Sequence, residues 1–251
     1  VTTILLRLAA PLMAFGTTSR FDNRATDADP SLSAVHGLLT AAAGITRDQP
    51  RPDWITHALP AIRVDRDGHT LPDYQTVNQP PLRRYRELSD HDLRKVYTVA
   101  MPDGSRKPNS TKTKQPATVQ SRRGYLTDAT FLITLPDPTG NLNEALARPR
   151  FHLYAGRKGC PVTEPFLLGT TTDDPVAALT TTPTPRTGPD DTGERRAVLF
   201  ANPADNSRHE DRNDLPSGGR RHRTARRWHT TVTAPLTDNW FTTITHIKAA
   251  A

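Results

Sequence analysis

The chain has 251 residues, 35% of them hydrophobic, with 23 prolines and a net charge of +7 from 33 basic and 26 acidic side chains. That length allows one large domain or two small ones. Even with its 14 glycines added, the apolar share stays under the roughly 45–50% of ordinary globular chains, and proline runs at nearly twice its ordinary ~5%, so a core coexists with much solvated chain and a helical bundle is excluded.

Ile4, Leu6 and Leu8 alternate with Leu5 and Arg7, the period of a strand with one buried face and Arg7 on the other, at an edge of the core. Residues 16–29 are polar and carry Arg20 and Arg24, and Pro30, Ser31 and Ser33 then open a helix whose face is Val35, Leu38, Leu39 and Ala42, with Gly44 as its C-terminal cap. Ile62 and Val64 alternate with Arg63 and Asp65, and a turn at Asp67 and Gly68 leads into 71–77, which predicts a hairpin. Residues 77–124 change character: eleven basic against four acidic side chains give a local excess equal to the charge of the whole protein. Val96, Thr98 and Ala100 before Pro102-Asp103-Gly104 suggest a projecting ribbon, unable to bury a core of its own; a solvated loop is the alternative.

Ala129, Phe131, Ile133 and Leu135 predict a strand, and Asn141 with Glu144 a capping box ahead of Leu142 and Leu146, stopped at Pro149. Short strand-like runs follow at 151–154, 166–168, 197–200, 228–233 and 240–247, with loops at 170–194 and 202–219 and a fraying end at Ala249 to Ala251. Strand, helix, hairpin, strand, helix, strand is the order of a split βαβ sandwich of the RNA-recognition type with a β-rich remainder.

Chemistry-bearing motifs are few. Phosphate-binding and dinucleotide loops, the serine-hydrolase elbow and the paired-histidine zinc motif do not occur, and neither a metal site nor a cofactor is expected. Cys160 as the single cysteine excludes an internal disulfide and points to a reducing compartment, the cytoplasm. The run from Ile4 to Phe15 is broken by Arg7 and Pro11 and is too short for a membrane span. The excess positive charge suits a polyanion. Gly156-Arg157-Lys158-Gly159 sets two cations beside exposed backbone N–H groups, which suits phosphate oxygens; Ser31 and Ser33 at a helix start, with Arg20 and Arg24 upstream, offer a second anion site. Tyr74 and Tyr154 are placed to stack on unpaired bases or to sit half-buried in a core. Arg220, Arg221, Arg223, Arg226 and Arg227 form a cluster suited to a phosphate backbone or an acidic partner.

Leu5-Leu6-Arg7-Leu8-Ala9 with Pro11 and Gly16, Pro30-Ser31 and Ser33 with Gly37-Leu38-Leu39, Asp73-Tyr74 with Thr76-Val77, Tyr125-Leu126 with Asp128-Ala129, Arg148-Pro149-Arg150, and Gly156-Arg157-Lys158 with Cys160-Pro161 resemble, in order over residues 3–170, the CasD family, the subunit that caps the 5′ handle of crRNA in type I-E CRISPR Cascade. The resemblance implies an α+β fold: a ferredoxin-like (RRM-type, RAMP) domain over 1–150 with a thumb β-hairpin inserted at 77–124, then a small C-terminal β-rich region over 151–251. It implies a non-catalytic RNA binder whose partners are the crRNA 5′ handle, the Cascade backbone subunit, the large subunit that reads the protospacer-adjacent motif, and nearby target DNA, with no membrane. The RNA-binding residues it implies are Arg20, Arg24, Ser31, Ser33, Tyr74, Thr76, Arg123, Tyr154, Gly156, Arg157, Lys158 and Cys160. The alternative is a metal-independent endoribonuclease cutting repeat RNA, for which Tyr74, His36 and Lys158 are the candidate groups although no spacing unites them. An adaptor to membrane or DNA surfaces would rest on charge alone.

Overall fold

The computed structural model describes residues 2–16, 19–20, 22–77, 98–100, 106–108, 119–203, 208–216 and 222–250. The fold is mixed α+β, rich in sheet and with few helices. In chain order the elements are β1 (Thr2–Ala9), β2 (Ser19–Arg20), β3 (Asn23–Arg24), α1 (Leu32–Ala42), α2 (Asp53–Thr56), β4 (Ala61–Arg66), β5 (His69–Val77), β6 (Thr98–Ala100), β7 (Arg106–Pro108), β8 (Val119–Thr127), β9 (Thr130–Asp137), α3 (Asn141–Ala147), β10 (Leu167–Thr171), α4 (Pro175–Thr181), β11 (Thr184–Pro185), β12 (Glu194–Leu199), β13 (Arg208–Pro216), β14 (His222–Thr233), β15 (Leu236–Thr237) and α5 (Trp240–Ala250). The chain divides into two compact units, Val1–Thr18 with Thr26–Leu71 and Tyr125–Ala251, and Ser19–Ala25 with Pro72–Gly124.

The larger unit is built on a seven-stranded antiparallel sheet in the order β10-β1-β9-β4-β12-β14-β13. Counting only β1, β4, β9 and β10, the order is fourth-first-third-second, with α1 as the crossover from β1 to β4 and α3 as that from β9 to β10. The C-terminal third extends this sheet, because β12 pairs with β4, and adds a separate two-stranded parallel sheet of β11 and β15.

Both faces of the sheet are covered. Ile4, Leu6 and Leu8 of β1 and Phe131, Ile133 and Leu135 of β9 pack with Val35, Leu38 and Leu39 of α1 and Leu142 and Leu146 of α3. Leu5, Leu132 and Ala61, one residue out of phase, pack with Leu179 of α4 and Ile247 of α5. A period of two then gives near-continuous apolar runs. β1 accordingly lies between β9 and β10 and is not an edge, and Arg7 is half-buried on the second covered face. Arg63, in the register of that face, is fully buried: it pairs with Asp65 at 2.6 Å and donates to the carbonyls of Thr182 and Pro183 at 2.5 and 3.0 Å and to that of Leu179. A cation at the end of α4 meets the negative end of the helix dipole and takes carbonyls that the helix leaves unpaired.

Several sequence expectations change here. The turn at Asp67 and Gly68 switches sheets and makes no hairpin: β4 pairs with β9 and β12, while β5 joins a four-stranded sheet in the order β2-β3-β8-β5. Residues 170–194 are not all loop, since Asp174 caps α4 by accepting from Val176 and Ala177 at 2.9 and 3.1 Å, ahead of Pro175 in the first turn. Strand β13 occupies 208–216 within the second expected loop. The run 240–247 is helical, with Trp240, Ile244 and Ile247 on one face toward the sheet, and 151–154 is no strand beyond one bridge from Tyr154 to Pro161. Helix α3 begins without the expected box: Asp137, at the end of β9, accepts from Leu142 and Asn143 at 3.3 and 2.9 Å.

Helix α1 is held at both ends. Gly44 (φ +73°) follows its last turn, and Gly44 and Ile45 donate back to Ala41 and Thr40 at 3.1 and 3.0 Å. At the start, the buried carboxylate of Asp214 on β13 accepts from the amides of Leu32 and Ser33 at 2.6 and 3.0 Å and from the Ser33 hydroxyl at 2.7 Å. Asp214→Ala is expected to destabilise the fold by about 2–3 kcal/mol, because it leaves buried helix donors unpaired; urea unfolding at neutral pH measures the loss, and Asp214→Asn should recover part of it.

Candidate nucleic-acid interface

In the larger unit Tyr154, Gly156, Arg157, Lys158 and Cys160 gather at 154–161, while Ser31 and Ser33 lie apart at the start of α1. Tyr154 and Pro161 bridge across the loop, the Ala155 amide donates to Cys160 O at 2.7 Å, and the Cys160 amide closes a turn on Arg157 O at 2.9 Å. The loop is pinned to the chain after β1, where Ala14 donates to Ala155 O at 3.0 Å. At Gly156 (φ +95°) an added Cβ would lie 1.9 Å from Ala14 O, so both the backbone region and the approach require glycine.

This scaffold presents the cations differently. The Arg157 guanidinium lies 4.8 Å from the centroid of the Tyr125 ring, within cation–π range, while Lys158 is exposed. The Cys160 side chain is fully buried in the core; burial pushes its thiol pKa up, against the Arg157 contacts that lower it. Any role of Cys160 in binding therefore falls to its backbone.

Beside the loop runs a groove of about 830 Å3, lined in part by Arg150, Phe151, His152, Tyr154, Lys158 and Glu164. Its wall hangs from the end of α1: the Arg150 and Phe151 amides donate to Ala42 O and Ala41 O at 3.0 and 3.1 Å. Phe151 is 48% exposed, and the His152 and Tyr154 rings are 6.5 Å apart and tilted. Arg150, Phe151 and His152 escape a reading that treats 151–154 as a strand; the visible signal was an aromatic-rich tetrapeptide directly after the Arg-Pro-Arg motif. Planar rings interleaved with cations suit unpaired bases and their phosphates.

The expected anion site at the start of α1 has no open donors at its head. Ser31 caps Ala34 at 3.2 Å, its hydroxyl lies 3.1 Å from that of Ser33, and the Leu32 and Ser33 amides are spent on Asp214. A phosphate here would have to displace a buried carboxylate, so ordinary capping accounts for both serines.

In the smaller unit Arg20 lies on β2 and Arg24 on β3, and β3 pairs in parallel with β8, setting Arg24 against Arg123. The Arg123 Nε is buried without a hydrogen-bond partner. Tyr74, 55% exposed, and exposed Thr76 are two residues apart on β5 and so share a face. Most of the expected basic arm (78–97, 101–105 and 109–118) lies outside the described residues; within it β6 and β7 pair antiparallel, Thr98 with Pro108 and Ala100 with Arg106.

The C-terminal arginine cluster is partly consumed internally. Arg226 pairs with Asp211 at 2.8 Å, and buried Arg227 pairs with Glu210. Burial pushes Glu210 up, but His229, Arg227 and Arg212 outweigh it and hold it at about 2. Arg220 and Arg221, and the side chain of Arg223, lie outside the described set. Of the groups considered for RNA cleavage, His36 is buried, its ring 3.0 Å from Ala58 O, and burial pushes its pKa down. Among the described residues no three His, Cys, Asp or Glu are grouped to hold a metal ion, and no helix is long and apolar enough to cross a membrane.

A family model described as CRISPR-associated protein (Cas_Cas5) matches residues 3–234. The CRISPR system Cascade subunit CasD of Escherichia coli (strain K12) is 33% identical over 183 residues, 70% of this chain and 75% of that protein. A chain of a CRISPR RNA-guided surveillance complex superposes with a TM-score of 0.71 at 26% identity, covering 98% of this chain and 99% of that one. A second solved structure, of a Cas protein, gives 0.61 at 27% identity over 94% of this chain and 100% of that one.

Gly156→Ala should displace the 154–161 loop while leaving the sheet intact; loss of the Arg157–Tyr125 contact, read as a shift of the Tyr125 ring resonances, with near-native far-ultraviolet dichroism, is the expected result.

Proposed function

The chain belongs to the CRISPR-associated Cas_Cas5 family, and from that membership we propose that it is a non-catalytic subunit of a type I-E Cascade surveillance complex that binds and caps the 5′ handle of crRNA. The observation that carries this reading is the end-to-end superposition on a chain of an RNA-guided surveillance complex. The fold reading that goes with it is ferredoxin-like; the fourth-first-third-second strand order with its two helical crossovers supports it.

RNA binding is electrostatic and steric. Lys158 and Arg150 in the groove and Arg157 on the loop beside it neutralise phosphates, and Phe151, His152 and Tyr154 offer planar faces to splayed bases. In the smaller unit, Arg24, Arg123 and Tyr74 supply the same two kinds of contact, and Thr76 adds a hydroxyl. The β6–β7 ribbon is the thumb that reaches the adjacent backbone subunit, and the large subunit and target DNA lie nearby in the assembly. The non-catalytic assignment rests on chemistry: cleavage at a 2′-hydroxyl needs a base within hydrogen-bond reach, and His36 is sealed in the core.

Arg157→Ala combined with Lys158→Ala is expected to weaken binding of a short handle RNA about tenfold or more and to reduce the log affinity–log salt slope by about 1.4, from roughly 0.7 per phosphate contact on a single strand. Filter binding across a salt series reads both, and an unchanged slope and affinity would remove the loop from the interface.

A further inference from the structure

A separate cavity of about 250 Å3 opens on the sheet face covered by α4 and α5, lined in part by Arg7, Asp65, Arg66, Thr130, Arg186 and Trp240. Arg7 of β1 and Thr130 of β9 lie in the register of Leu5 and Leu132, and Asp65 sits at an irregularity of β4 between Val64 and Arg66, bonded to Arg63, so three neighbouring strands build the floor. Its volume is under the roughly 300–1,000 Å3 of sites for drug-sized molecules, so it holds a flat ring and an attached sugar and leaves any further charged group at the open rim.

The lining combines three features. Arg66 and Arg186 are exposed at the rim, and the Arg66 contact to Asp128, 3.4 Å between two exposed side chains, is screened by water. Arg7 lies with its guanidinium 5.7 Å from the centroid of the Trp240 ring, and its Nε is buried without a hydrogen-bond partner. Asp65 is 3% exposed; its Oδ1 accepts from Arg63 at 2.6 Å and from Thr184 at 2.8 Å, while its Oδ2 is buried without a partner. Burial and the nearby Arg66 lower the Arg7 pKa against the raising effect of Asp65, so a bound anion would offset the partial loss of hydration of this half-buried cation.

A simple anion does not match this set, because Asp65 repels charge brought to the floor. The complement is a molecule anionic at one end and carrying N–H donors on a flat body at the other. Carboxylates accept from exocyclic base amines, aromatic and guanidinium planes stack on bases, and arginines take phosphate. We propose that this pocket binds one nucleoside monophosphate unit, with a base amine on Asp65 Oδ2, the ring beside Arg7 and Trp240, and the phosphate on Arg66 and Arg186. The site is distinct from the groove at 149–164 and stands whether or not that groove binds RNA. Its chemistry is shared by a free nucleotide and by one nucleotide of a single strand, and it favours adenine, cytosine or guanine over uracil.

The test uses the full chain carrying Arg157→Ala and Lys158→Ala, so that the groove contributes little. Tryptophan fluorescence is followed during titration with CMP, GMP, UMP, inorganic phosphate and a short oligonucleotide. Expected are a saturable signal from CMP and GMP, weaker response to UMP and phosphate, disappearance of the signal in Trp240→Phe, and about tenfold weaker binding, a loss of about 1.4 kcal/mol, in Arg66→Gln with Arg186→Gln. Both arginines are exposed, so thermal melting should be unchanged in that variant. Much tighter binding of the oligonucleotide with the same dependence on Arg66 and Arg186 assigns the site to a strand, and equal binding assigns it to free nucleotide. Phosphate binding as tightly as CMP, indifference to the two arginines, or no saturable signal overturns the proposal.

Discussion

The basic loop of the larger unit depends on one close approach, that of Gly156 to the carbonyl oxygen of Ala14, where no Cβ fits. With Ala14 also bonded to Ala155, and Met13 paired with Leu126 in both directions at 2.8 Å, the segment after β1 joins the loop and the returning end of β8. The cations at 157 and 158 are therefore set by backbone bonds to a buried core. A loop of this kind keeps its shape when its ligand is absent, and the binding energy of a phosphate is not spent on ordering it.

The rest of the positive charge is used in two ways. Much of it is spent inside the fold: Arg63 on Asp65, Arg195 on Asp191 at 2.7 Å with hydrogen bonds to both carboxylate oxygens, Arg196 on Asp29 at 2.5 Å and Arg227 on Glu210. The Arg195 contact holds the Asp191 carboxyl far below the usual range against the opposing effect of burial. The Arg63 and Arg195 contacts hold the segment around β11 against the sheet, Arg196 joins β12 to Asp29 ahead of α1, and Arg227 joins β14 to β13; the fully buried Arg63 pair is the costliest to break from one side because a buried charge is left unpaired. The cations offered to a polyanion include those on the groove, at the rim of the smaller cavity, at Arg24 and in the basic segment 77–124, whose excess of positive charge matches that of the whole chain.

The first half of the fold was legible because its patterns are local. The apolar faces of β1, α1 and β9 follow their periods, and Gly44 ends α1 as a left-handed residue should. Four features were not legible, each for its own reason. The second covered face of the sheet is supplied by α4 and α5 from the far end of the chain, so Arg7 and Arg63 read as outward-facing when both are covered. Helix α4 carries an Asp-Pro start within a Thr-rich stretch that resembles loop. In α5 the Thr residues between Trp240, Ile244 and Ile247 imitate strand alternation. The occupancy of the α1 start by Asp214 is a contact across 182 positions that no local pattern encodes. At the site, the Gly-Arg-Lys loop was readable from composition, whereas Phe151 and His152 enter the groove only because the end of α1 fixes their backbone.

The most direct test of the account is photo-crosslinking of a crRNA carrying 4-thiouridine in its 5′ handle, with the crosslinked peptides mapped by mass spectrometry. The account predicts adducts within residues 149–162, centred on Phe151, His152 and Tyr154. Adducts confined to the β13–β14 hairpin, with residues 149–162 unmodified, would contradict it.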